Sequence, residues 1–254
     1  MSYKFIDEKK KHVHTFKGQP LYGTSTVVSI LNKPLTWWAA GMAIGTLGWT
    51  ATQSDPEMRL EVATIALRGI KDLTPEEYLK RLDLAYKAHN EKKKDTAEDG
   101  TNLHADLEKY VRLMISDQGG KPKLMNDDAR DSESWAKVQK FAEWSVANVE
   151  QFLFAEGHTY SETYWLGGIV DMGAKMKTGK KAIIDFKSSK EAYYSHFVQI
   201  GGYCLQITER GIVDAMGNQI LPPFNADEMI VVPFGSAKFA PLTVQNVDGF
   251  KTAF

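Results

Sequence analysis

Two acids and a lysine stand at the ends of two strand-like runs. The first run is Gly167-Gly168-Ile169-Val170-Asp171, and the second is Ala182-Ile183-Ile184-Asp185-Phe186-Lys187-Ser188-Ser189. Residues two apart on a strand share a face, roughly 7 Å from one another. Asp185 and Lys187 should therefore project together while Phe186 points the other way, into a core. A carboxylate can hold a hard cation, and an ammonium beside it can reach the same water or phosphate oxygen. Thr178-Gly179-Lys180 reads as a turn, so the Asp171 and Asp185 strands are expected to pair and bring two carboxylates together, as Mg²⁺ requires. Asp-x-Lys alone is also what a salt-bridged strand end looks like. The two isoleucines before Asp185 make it emerge from an apolar run, where an ionised group is costly unless paired or used.

The elements that must position these groups follow from periodicity and punctuation. Val13 to Phe16 and Gly18 to Tyr22 read as a hairpin around Lys17-Gly18. Thr24 or Ser25 can cap a helix through Leu31, which Pro34 stops. A Gly- and Ala-rich helix with Trp37 and Trp38 follows, then a weaker helical pattern from Pro56 to Gly69. Thr74-Pro75-Glu76-Glu77 is a capping box with proline at the first helical position. Asp99-Gly100-Thr101 reads as the start of a further helix to about Ile115, with His104 and Glu108 four apart on one face. A polar loop over 116–131 precedes a helix from Ser132 to about Val149. The period then changes: Gln151 to Phe154, Tyr160 to Trp165, Gly168 to Met176 and Ala182 to Lys187 read as strands. The last of these is apolar on both faces in its first half, as a central strand is. Ser195 to Ile207 is helical, and Met229 to Val232 and Leu242 to Val244 are late strands. This order predicts an α/β protein with a central mixed β-sheet flanked by helices. We expect one domain over 1–254, mainly helical in 1–150 and with the site's sheet and flanking helix in 151–254.

Taken together, Gly168-Ile169-Val170-Asp171, Ile184-Asp185-Phe186-Lys187 and Gln199-x-x-x-Tyr203 resemble the PD-(D/E)XK nuclease superfamily, most closely its RecB-like exonuclease branch. Gly100-Thr101-x-x-His104-x-x-x-Glu108 looks like that branch's upstream helical motif. The segment from Ser25 to Trp38 is similar to the opening of phage and mitochondrial exonucleases of this kind. The resemblance implies a restriction-endonuclease-like core and metal-dependent DNA hydrolysis leaving 5′-phosphate ends. It implies Asp171 and Asp185 as metal-binding acids, the Phe186 carbonyl and His104 as further ligands, and Lys187 as the residue that positions the water. It implies Gln199 and Tyr203, with Ser188 beside them, as contacts to the DNA backbone. Glu162 is expected near the site because relatives keep an acid in the preceding strand. The cofactor implied is Mg²⁺ or Mn²⁺. The partner implied is DNA with a free end, together with a recombination or replication protein.

Composition narrows the remaining classes. The chain has 254 residues, 43% hydrophobic and 25% charged, with a net charge of −1. That balance argues against a protein that coats nucleic acid, so phosphates would need a local basic surface. Lys92 and Lys93, in a run just ahead of the His104 helix, are candidates for it, although such runs are commonly solvated faces. Tyr193-Tyr194 and Trp37-Trp38 could stack on bases, but core packing is the expectation for most of them. A single cysteine, Cys204, excludes an internal disulfide and a four-cysteine cluster within the chain, including the iron–sulfur cluster of some relatives. It is expected to be a buried small hydrophobe. No apolar leader or long apolar run is present, so a cytoplasmic protein without a membrane role is expected. The 254 residues hold no Gly-x-x-x-x-Gly-Lys-Ser/Thr loop, so the helicase fusion usual in this branch is not expected. Two other readings compete: a non-catalytic DNA-binding or interaction protein on the same fold, and a metallohydrolase using His104 and Glu108. The second lacks another histidine at zinc spacing.

Overall fold

The computed structural model describes residues 3–8, 11–31, 36–47, 56–124, 133–236 and 238–254. The expected hairpin forms. β2 (Lys11–Phe16) pairs antiparallel with β3 (Gln19–Pro20), and the turn places Lys17 at φ 50° and Gly18 at φ 78°. A strand not expected from the sequence, β1 (Tyr3–Glu8), completes a three-stranded sheet. β4 (Tyr22–Gly23) leads into α1 (Thr24–Val28). Gly23 is the N-cap here, and the Thr24 hydroxyl instead donates to the Gly167 carbonyl at 3.2 Å. Pro34 lies outside the described residues.

α2 (Thr36–Thr46) and α3 (Pro56–Lys71) are helices as expected. The Thr74 box also forms: the Thr74 N–H donates to Glu77 Oε2 at 2.8 Å, and the Glu77 N–H to Thr74 Oγ1 at 3.2 Å. The helix it opens, α4 (Pro75–Gln118), does not stop before Gly100 but runs on through it. One internal glycine costs only about 1 kcal/mol, and the flanking Lys, Glu and Ala residues are good helix formers. α5 (Glu133–Asn148) follows. Its expected cap, Ser132, lies outside the described residues.

The expected strands at Gln151 and Tyr160 are one element, β5 (Val149–Ser161), irregular between Phe152 and Phe154. Residues 162–165 are a turn, not strand, and β6 (Leu166–Met176) folds back antiparallel. β7 (Lys181–Lys187) pairs antiparallel with β6. α6 (Tyr194–Arg210) is followed by β8 (Ile212–Val213), β9 (Gln219–Leu221), β10 (Glu228–Pro233), β11 (Leu242–Val244) and α7 (Val247–Ala253). Among the described residues the main sheet has eight strands, in the order β11-β10-β7-β6-β5-β8-β9, with β4 alongside β6. β10 runs parallel to β7 and the neighbouring pairs beside it are antiparallel, so the sheet is mixed. One core packs α4 and α5 against it through Leu107, Phe141, Phe152, Ile184 and Phe186. A second packs α6 through Ile183, Ile200, Tyr203, Ile207 and Met229, with Cys204 buried beside them.

The chain divides into two compact units. One comprises Met1–Asn32 with Asp99–Phe254, and the other comprises Lys33–Glu98. The first holds both sheets and every candidate residue from His104 to Tyr203. The second is helical in its described residues. No described helix is long and apolar enough to cross a membrane.

Candidate metal centre

Register sets the site. β6 and β7 pair up to Met172–Ile184, which leaves Asp171 abreast of Asp185 at the end of the ladder. β5 pairs Ala155 with Met172 and Gly157 with Val170, so Glu156 falls opposite Asp171. Glu156, Asp171 and Asp185 thus form a row across three adjacent strands. Asp171 also closes the ladder: its Oδ2 accepts the Phe186 N–H at 2.6 Å. α4 supplies the fourth group. His104 Nδ1 lies 3.7 Å from Asp171 Oδ1, and the imidazole meets the Phe186 ring edge-on. Ligand atoms of His104, Glu156 and Asp171 all lie within 4.8 Å of one another.

Asp185 is 2% exposed. Lys187 Nζ stands 2.5 Å from its Oδ2, a buried ion pair. Burial pushes the Asp185 carboxyl above the usual aspartate range. The Lys187 ammonium pulls it back, and Asp171 adds to the rise. Burial works against the Lys187 ammonium, but Asp185 and Asp171 outweigh it and keep the lysine protonated. Glu156 is pushed up to about 7, first by burial and then by Asp171 and Glu108, against the pull of Arg112. Glu108 and Arg112 form an ion pair at 2.5 Å on α4. Three crowded carboxylates with an imidazole beside them, two of which (Glu156 and Asp185) resist ionisation through burial and acidic neighbours, fit a hard divalent cation.

Glu156 was not singled out in the sequence. Its signal is an acid set between Ala155 and Gly157, directly after the apolar run Phe152-Leu153-Phe154. It adopts φ 49°, an uncommon conformation for a side-chain-bearing residue and one that gathers at functional sites. Glu162, expected to fill this place, does not join the cluster. It lies in the β5–β6 turn, where its carboxylate pairs with Arg210 and lies 3.8 Å from Lys17. Glu209 holds that turn by accepting the N–H groups of Glu162 at 2.9 Å and Thr163 at 3.3 Å. The turn forms because the chain reverses at residues 162–165, one position after the end of β5.

α6 lies over the sheet on the other side. Gln199 Nε2 donates to Tyr203 Oη at 2.8 Å. Tyr203 is 5% exposed, and its ring fits over Gly168, where an added Cβ would come within 2.6 Å of it. The tyrosine therefore braces Gln199 from inside. His196, also not singled out, caps the helix start. Its Nδ1 accepts the Tyr193 N–H at 3.2 Å, so in the neutral ring Nε2 carries the proton. Burial, then the Lys187 ammonium, lower its pKa to about 4. Ser188 is exposed, and Gly100 of α4 packs against it, with an added Cβ 3.6 Å from Ser188 Cβ. Phe186 is core, among Phe141, Phe234 and His104. Tyr193 and Tyr194 are exposed. The side chains of Lys92, Lys93, Trp37 and Trp38 lie outside the described residues. No protein-family model matches the chain, and no curated protein matches it.

Proposed function

We propose that this chain is a divalent-metal-dependent deoxyribonuclease with a restriction-endonuclease-like core, of the PD-(D/E)XK type and its RecB-like exonuclease branch. The observation that carries the reading is the row Glu156–Asp171–Asp185, with His104 at one side and Lys187 paired to Asp185. Three carboxylates, an imidazole and a lysine on one sheet end are groups that metal-assisted phosphodiester hydrolysis can use. Glu156, Asp171, Asp185 and His104 are the residues that would hold Mg²⁺ or Mn²⁺. A bound cation supplies an acidified water and neutralises charge on the scissile phosphate. Lys187 orients that water and stabilises negative charge on the pentavalent phosphorus. Gln199, fixed by Tyr203, holds a backbone oxygen of the DNA. The products are a 5′-phosphate and a 3′-hydroxyl.

End-labelled single- and double-stranded DNA, incubated with Mn²⁺ or Mg²⁺ and with chelator, tests this directly. The parent protein should degrade DNA only with the metal. Lys187→Ala should lose at least about 100-fold in turnover while still taking up metal in calorimetry. Parent-rate cleavage by Lys187→Ala removes the assigned centre. A parent that takes up metal and binds DNA without cutting it supports the non-catalytic reading instead.

A further inference from the structure

α6 turns more than Gln199 and Tyr203 toward the acid row. His196 lies one turn before Gln199 and two before Tyr203, so the three side chains share a face of the helix. Tyr203 anchors one end of that face over Gly168 of β6. Burial first, and then the nearby Asp185 carboxylate, hold its hydroxyl well above the usual tyrosine range. His196 marks the other end. Burial and then the Lys187 ammonium lower the pKa of its ring, and the Asp185 carboxylate raises it, so both strand-end charges are its neighbours. The connection from β7 to α6 is itself held in place. The Gly235 N–H donates to the Ser189 carbonyl at 2.9 Å, and the Ser189 hydroxyl donates to the Glu191 carbonyl at 2.7 Å.

The His196 ring is half-buried and fixed. Its Nδ1 accepts the Tyr193 N–H at 3.2 Å, and the Tyr193 ring packs edge-on against it with centroids 5.3 Å apart. Nδ1 is therefore committed, and the proton of the neutral ring sits on Nε2. Among the described residues the imidazole makes no other hydrogen bond. A neutral imidazole is a poor proton donor to a leaving oxygen, but its N–H is a good hydrogen-bond donor to a phosphate. Gln199 likewise keeps a second amide N–H beyond the one it gives to Tyr203. The two residues place uncharged donors about 4.5 Å apart along the helix axis, and they follow a phosphate backbone without adding positive charge beside Lys187.

We propose that His196 is a substrate-contacting residue whose Nε2–H donates to a phosphate oxygen of the DNA strand, beside the one held by Gln199. This rests on the nuclease reading above, and it adds a contact that the motif residues do not include.

The test separates the contact from the helix cap that the same ring provides. Initial rates of Mn²⁺-supported cleavage are measured on an oligonucleotide and on a set in which single phosphates near the cut are replaced by uncharged methylphosphonates. His196→Ala should raise KM about tenfold, as expected for a lost hydrogen bond to a charged group, with kcat within about twofold. His196→Gln, which keeps both a cap acceptor and an N–H donor, should stay near the parent. His196→Glu keeps the cap but has no donor, so its urea midpoint should match the parent while its KM rises at least as far as in His196→Ala. At one methylphosphonate position the parent should lose about as much as His196→Ala does on unmodified DNA, and His196→Ala should lose nothing further there. Parent-like KM in His196→Ala or His196→Glu, with a parent that cuts DNA, overturns the contact and leaves the nuclease reading standing. A His196→Ala loss of the same size at every methylphosphonate position also overturns it, since the ring would then act only through the cap. A parent that does not cut DNA overturns both.

Discussion

Glu156 and Glu162 are six residues apart, and their environments assign them different work. Glu156 faces Asp171 across the β5–β6 ladder, and burial with its acidic neighbours pushes its carboxyl up to about 7. Glu162 is paired with Arg210 in a turn. Glu156→Gln should therefore weaken Mn²⁺ binding by on the order of tenfold or more and lower DNA cleavage. Glu162→Gln should leave metal affinity near the parent value and act on stability through Arg210. Calorimetric Mn²⁺ titrations of both variants separate the roles, and equal losses in the two would remove Glu156 from the centre. His104 adds a second expectation at this scale. Imidazole suits Mn²⁺ better than Mg²⁺, so His104→Ala should lose more Mn²⁺-supported activity than Mg²⁺-supported activity. Equal losses would show that any metal preference arises elsewhere.

The elements hold these residues through close contacts rather than through long side chains. β6 brings glycine under α6, and the missing Cβ at Gly168 lets the Tyr203 ring approach the sheet. Thr24 at the start of α1 closes the same corner, donating to the Gly167 carbonyl and accepting Gln206 Nε2 at 2.6 Å. Gly168→Ala should therefore push Tyr203 and Gln199 outward and cost about 1–3 kcal/mol by overpacking. Urea midpoints should fall and cleavage should fall with them. A variant with parent stability would mean that α6 shifts to absorb the methyl group. The motif Gln199-x-x-x-Tyr203 was legible in sequence as one helical face. That one member is a buried brace for the other was not, because it depends on which strand glycine lies beneath.

At the scale of the whole molecule, acid should loosen the fold through the N-terminal sheet. His14 is 7% exposed, and its Nδ1 lies 2.6 Å from Tyr3 Oη, which also contacts His158 Nδ1 at 3.1 Å. Burial first, and then His158 and His12, lower the His14 pKa to about 4. The folded protein thus keeps His14 neutral where the unfolded chain, titrating near the usual 6.5, already binds a proton. Between pH 6.5 and 4 the unfolded state binds more protons, so stability declines as pH falls through that window and is unaffected by this group above it. The loss reaches roughly 2–3 kcal/mol near pH 4. Urea titrations at pH 7.5 and 4.5 should show a smaller decline in His14→Gln than in the parent. An identical decline in both would place the acid sensitivity elsewhere.

Local signals in the sequence determined the mixed α/β class, the Lys17-Gly18 turn, the Thr74 capping box and the pair Asp185–Lys187. Each of these is written within a few neighbouring residues, in a period of two, a period of 3.6 or a cap. Tertiary structure alone decided the register of β5 against β6, which put Glu156 rather than Glu162 opposite Asp171. It also decided that α4 runs through Gly100, and that the loop after β10 meets the end of the Lys187 strand. The physical reason is common to these cases. A one-residue change of register, or one glycine tolerated within a helix, costs little locally and is settled only by packing against elements distant in the chain.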